Sequence, residues 1–168
     1  MARIDNSNNI LLKDCQLIFR NFSGREDQYN RLGNRNFCII LDDDIAHEMI
    51  DEGWNIKQLK PREEGEEGSY YVQAAVGYKA LPPRIVLISS EGRTNLGESE
   101  VDLLDWAELE KVDIILRPYD WEINNKDGIS RGRKAYVKTM YAILAEDPLE
   151  REYGDLPAVD VEPIDEEM

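Results

Sequence analysis

Val112-Asp113-Ile114-Ile115-Leu116-Arg117-Pro118-Tyr119-Asp120-Trp121-Glu122-Ile123 is followed, after Asn124-Asn125-Lys126-Asp127-Gly128, by a second apolar-rich run over residues 134–144. β-branched and aromatic residues dominate both runs. Between them, Asn-Asn and Asp-Gly supply the backbone freedom that a tight reversal needs. The two runs predict a pair of long strands joined as a hairpin, and with them a mainly β protein.

Outward from that hairpin the pattern persists. Residues 10–22 read as a mostly buried strand and Phe37-Cys38-Ile39-Ile40-Leu41 as a second, joined through a polar, cationic tip with Gly24 and Gly33 as turn markers. Residues 42–52 read as a helix: Asp residues open it, Ile45, Met49 and Ile50 form its stripe, and Gly53 stops it. Residues 54–60 return to strand. After the solvated turn 61–68, residues 69–79 alternate, with Tyr70, Val72, Ala74 and Val76 on one face.

Pro82-Pro83 precedes a strand at 84–88, Gly92 and Gly97 bracket a loop, and residues 99–111 suit one or two short helical turns. Turns rather than crossover helices link these strands. The expected fold is an OB-type antiparallel barrel with extra strands and one or two short helices; a plain β-sandwich is the alternative.

Charge divides the chain in two. Residues 146–168 hold ten acids against Arg151 alone, a net of −9, which leaves −6 of the total −15 on residues 1–145. The body is thus a candidate binding domain, and the segment 146–168, broken by Pro148, Pro157 and Pro163, reads as a disordered acidic tail. Such a tail can occupy a cationic groove or present Leu156, Val159, Val161 and Ile164 to a partner protein.

Catalysis finds little support. His47 is the single histidine, so neither a histidine triad nor a multi-histidine metal site can be assembled. No phosphate-cradling glycine motif is present. Asp42-Asp43-Asp44 suits a helix start better than a cation site, and Glu63-Glu64-Gly65-Glu66-Glu67 is solvated loop charge. The expectation is no enzyme, no cofactor and no metal. Cys15 and Cys38 read as buried reduced thiols. With no membrane-length apolar run and no signal-like N-terminus, a cytoplasmic protein without a membrane partner is expected.

The cations cluster. Arg20, Arg25, Arg31 and Arg35 interleave with Phe19, Phe22, Tyr29 and Phe37 in the first hairpin. The last one offers Lys126, Arg131, Arg133, Lys134 and Lys138 beside Trp121, Tyr136 and Tyr141. Arginine and lysine can follow phosphates while aromatic faces stack on bases, the pairing that single-stranded nucleic acid requires. Tyr136 and Lys138 share a strand face. Candidate phosphate contacts are Arg20, Arg25, Arg31, Arg35, Lys57, Arg131, Arg133, Lys134 and Lys138. Candidate stacking rings are Tyr29, Trp54, Trp121, Tyr136 and Tyr141.

Phe19-Arg20-Asn21-Phe22-Ser23-Gly24, Tyr29-Asn30, and Gly33-Asn34-Arg35-Asn36-Phe37 resemble a family of bacteriophage and prophage single-stranded DNA-binding proteins. So do Gly53-Trp54-Asn55-Ile56-Lys57, Pro82-Pro83-Arg84-Ile85, residues 113–121, and Lys134-Ala135-Tyr136-Val137-Lys138-Thr139-Met140-Tyr141. The resemblance implies an OB-type fold, sequence-tolerant binding of single-stranded DNA, and a role in phage replication or recombination through an acidic tail that docks replication proteins. The tail ends Asp165-Glu166-Glu167-Met168, without the terminal aromatic that many tailed single-stranded DNA-binding proteins carry. A homo-oligomer is compatible with the sequence. The competing class is a phage-encoded acidic protein-binding module, a DNA mimic or an inhibitor of a host protein.

Overall fold

The structure, a computed structural model, describes residues 2–3, 8–61, 63–65, 67–153 and 156–157. Its strands are β1 (Ala2–Arg3), β2 (Ile10–Leu12), β3 (Gln16–Asn21), β4 (Arg35–Leu41), β5 (Ile56–Gln58), β6 (Tyr70–Val76), β7 (Arg84–Ser89), β8 (Gly92–Leu96), β9 (Leu109–Asn125) and β10 (Gly128–Leu144). Helix α1 (Asp43–Asp51) lies between β4 and β5, a 3₁₀ turn (Val101–Asp105) precedes β9, and α2 (Pro148–Tyr153) follows β10.

β9 and β10, each of 17 residues, form the predicted hairpin, closed by Lys126 and Asp127 with Gly128 at φ 132°. The sheet order is β1-β2-β9-β10-β6-β4-β3. β2 pairs with β9 and β3 with β4, at opposite ends of that order, yet only Lys13, Asp14 and Cys15 separate them in the chain. The sheet therefore curls until its ends nearly meet. At the corner Asp14 takes a φ of 50°, its N–H donates to Asp113, and the Cys15 N–H donates to the Val112 carbonyl. This bend splits the single strand expected over residues 10–22.

Inside the curl sits one core. Phe22 and Phe37 stack at 4.7 Å, and Ile39, Val72, Ala74, Ile114, Leu116, Ala135, Val137 and Met140 pack around them. α1 adds Ala46 and Met49 to the same core. Ile50, expected on the apolar stripe, is exposed: the buried face is centred between Ala46 and Met49, and Ile50 lies at its margin. Gly53, expected to stop the helix, ends it at φ 94°.

The mainly β, OB-like expectation holds, with a correction to the pairing: the sheet is mixed. β10 is long enough to offer one edge to two strands, β6 at Ala135–Tyr136 and β7 over residues 139–143, and both run parallel to it. Residues 92–96, expected as loop, form β8 antiparallel to β7. Only Leu96 of that edge strand is buried, so no apolar alternation announced it. Past β10, Pro148 opens α2, at a position where a missing N–H is harmless. Residues 148–153 form this short helix at the start of the acidic tail expected from residue 146 onward, and residues 154–155 and 158–168 of that tail lie outside the described residues.

Candidate nucleic-acid interface

Strand alternation decides which hairpin side chains meet. The core takes Val112, Ile114 and Leu116 from β9, with Ala135 and Val137 from β10, then Met140 and Ala142 after a register shift at Lys138. The opposite, outer face collects Arg117, Tyr119 and Trp121 from β9 and Lys134, Tyr136, Lys138 and Tyr141 from β10. Tyr136 lies opposite Arg117, Lys134 opposite Tyr119, and Gly132 opposite Trp121. Gly132 is required there: a Cβ would fall 2.4 Å from the Trp121 ring.

Two of the outer tyrosines, Tyr136 and Tyr141, are met by cations. The Arg117 guanidinium lies 5.3 Å and the Lys134 ammonium 5.0 Å from the Tyr136 ring centre, with Tyr119 edge-on at 6.0 Å. Arg84 and Arg93 stand 5.8 and 5.7 Å from the ring centre of Tyr141. Among the described residues, Arg84, Arg93, Arg117, Lys134 and Lys138 have no carboxylate partner. Asp113, in phase with this face opposite Tyr141, is already held by Lys13 and Lys111.

The same face continues sideways across the sheet. Tyr136 is in register with Ala75 on β6, Ala75 with Asn36 on β4, and Asn36 with Asn21 on β3. Farther along, Lys57 is opposite Tyr71, and Phe19, 63% exposed, stands edge-on to Tyr71 at 6.2 Å. Cys38 lies under this region: burial pushes its thiol up to about 11, and the nearby Lys57 charge partly offsets the rise.

Of the residues expected from sequence, Trp121, Lys134, Tyr136, Lys138 and Tyr141 come together on the outer hairpin face, and Lys57 lies on the same sheet surface. Arg131 and Arg133 have the opposite phase. Arg131 Nε donates to Glu122 at 2.9 Å. Arg133 donates to Asp120 through Nε and Nη2 at 2.7 and 3.2 Å, holding that carboxyl below its ordinary range, and covers the Trp54 ring. Trp54 is a core residue at 3% exposure, with no free face to stack on a base. Between these groups and the end of α1 is a cleft of about 540 Å³, lined by Glu52, Gly53, Asp120, Glu122, Arg131 and Arg133 and reached at its margin by Trp121 and Gly132. Its arginines are matched by acids.

The first hairpin divides similarly. Arg20 Nη1 donates to the carbonyls of Leu104 and Ala107 at 3.2 and 2.6 Å, tying β3 to the 3₁₀ turn. Arg35 pairs with Glu98 at 3.3 Å and lies over Tyr78. Arg25, Tyr29 and Arg31 are exposed in the loop. The sequence reading missed Arg84, Arg93, Arg117, Tyr119 and the exposed Trp106. Arg117 and Tyr119 were within reach, since they alternate in phase with Trp121. Arg84 and Arg93 reach Tyr141 only through the pairing of β7 with β10 and β8, which leaves no local trace.

The chain matches, over residues 2–168, the family described as "Putative phage ssDNA-binding domain". No curated protein matches it. Among solved structures, it is similar to the single-stranded DNA-binding protein from bacteriophage Enc34 in complex with ssDNA, at 15% identity and a TM-score of 0.55, covering 85% of this chain and 90% of that one. A C-terminal truncation of the Enc34 protein is similar at 15% identity, a TM-score of 0.53 and the same coverage. At that identity the likeness speaks for the fold. The family match extends over nearly the whole chain, and the chain belongs to the phage ssDNA-binding domain family.

Proposed function

We propose that this protein binds single-stranded DNA without sequence selection, as a non-enzymatic component of phage replication or recombination. The outer face of the β9–β10 hairpin and the adjoining sheet is the contact surface. One observation carries the reading: Arg84, Arg93, Arg117 and Lys134, without acid partners among the described residues, cap the rings of Tyr136 and Tyr141. In the free protein a cation rests on each ring for about 0.5–1 kcal/mol. A base stacking on the ring gives about 1–3 kcal/mol, and the displaced cation gains a phosphate. The exchange favours the strand and selects no sequence, because every base has a face.

A DNA mimic would need a phosphate-like array of acids on its working surface, and the outer face carries cations instead. The acidic segment after Pro157 is the competitor: Asp160, Glu162, Asp165, Glu166 and Glu167 can occupy the same cations when DNA is absent, or dock a replication protein. Fluorescence anisotropy with oligo-dT, a mixed-sequence oligonucleotide and a duplex tests the reading. The two single strands should bind within about threefold of each other, and the duplex at least about tenfold more weakly. Duplex binding equal to single-strand binding refutes it.

A further inference from the structure

Trp106 stands 76% exposed on a backbone that is tightly held. Its N–H donates to the Leu103 carbonyl, and Arg20 grips the carbonyls of Leu104 and Ala107 around it. The neighbouring Asp105 carboxylate accepts the N–H groups of Phe22 and Ser23 and the Ser23 hydroxyl, at 2.6, 3.1 and 2.7 Å. The 3₁₀ turn and the β3–β4 loop are thus one rigid lobe that presents an indole to solvent. Packing gives no reason for that ring.

Arg25 covers it, with its guanidinium 5.6 Å from the ring. This arginine is itself positioned. Its N–H donates to Asn21 Oδ1 at 2.8 Å, its carbonyl accepts from Asn21 and Asn30, and its Nη2 donates to the Arg20 carbonyl. Among the described residues it has no acid partner. The arrangement resembles that of the half-buried Tyr136 and Tyr141, a ring capped by a cation with no acid partner among the described residues, but with the Trp106 ring more exposed.

We propose that Trp106 and Arg25 form a second base-stacking platform for the same single strand, so that the bound polynucleotide crosses the sheet from β10 to β3. The inference rests on the outer face being the DNA-binding surface. The in-register row Tyr136, Ala75, Asn36, Asn21 gives the direction of the route, and its last member, buried Asn21, bonds directly to the backbone of the exposed Arg25 above it. Three inter-strand steps of about 4.8 Å put the start of the lobe about 14 Å from Tyr136. Arg31, exposed in the same loop, is a further phosphate contact.

Oligo-dT of about 4 and about 16 nucleotides, the limits of single-stranded site sizes on OB folds, separates the possibilities. Trp106→Ala should weaken the long oligonucleotide at least about fivefold and leave the short one, held at the hairpin, unchanged. Trp106→Phe, which keeps a stacking ring, should stay within about twofold of the parent. Tyr136→Ala should weaken both lengths. Parent-like binding of the long oligonucleotide by Trp106→Ala, with Tyr136→Ala impaired, overturns this platform and leaves the hairpin surface standing. Equal weakening in Trp106→Phe and Trp106→Ala overturns the stacking role. If neither Trp106→Ala nor Tyr136→Ala loses affinity, the DNA-binding surface itself is misassigned.

Discussion

Tyr136 is the residue on which the outer face converges, with Arg117 and Lys134 over its ring and Tyr119 at its edge. Tyr136→Ala is expected to cost about 1–3 kcal/mol in oligo-dT binding, with a smaller change in thermal midpoint, because the ring is only half-buried. Anisotropy and a thermal melt check the two halves of that statement. The cysteines give a prediction of a different kind. Burial first, then Asp113 and Asp14, pushes the Cys15 thiol up to about 12, and burial pushes Cys38 up to about 11, from an ordinary value of 9.0. Above pH 9 the folded chain keeps protons that the unfolded chain loses, so stability should fall as pH rises from about 9 to about 11. Urea unfolding across that window should show the fall, with a shallower slope in Cys38→Ala.

At the scale of the element, the hairpin separates what is written locally from what is not. Its strands, turn and length were legible because β-branched runs and Asn/Asp-Gly chemistry are local signals. So were α1, with its Asp start and Gly53 stop, and the alternation of β6. The candidate binding face was legible only in part. Residues 126–141 hold Arg131, Arg133, Lys134 and Lys138 in one basic cluster, yet strand alternation sends Arg131 and Arg133 to the side of Glu122 and Asp120, away from Lys134. Cation density in a sequence does not say which cations are already paired. Nor did residues 84–96 reveal that Arg84 and Arg93 would meet Tyr141, because that depends on long-range strand pairing. The two faces make an experiment. Arg131→Ala with Arg133→Ala should leave oligo-dT affinity within about twofold. Arg117→Ala with Lys134→Ala should weaken it and flatten the log–log salt dependence by about 0.7 for each phosphate no longer neutralised.

Across the whole molecule, a total charge of −15 coexists with a cationic surface that has no acid partners among the described residues, because the charge is unevenly placed. The curl of the sheet sets the apolar residues inside, and the hairpin projects past its pairing with β2 and β6, so both strands expose their outer faces over residues 119–133. Five acids and no base follow Pro157. Removing residues 158–168 should tighten oligo-dT binding at low salt, and the gain should fade as screening shortens the reach of those charges. A titration with Arg117→Glu and Lys134→Glu combined, compared with the parent on the same oligo-dT at several salt concentrations, tests the central claim most directly. The predicted result is at least about a tenfold fall in affinity, a shallower salt slope and a nearly unchanged thermal midpoint. Parent-like affinity and slope in that variant would contradict it.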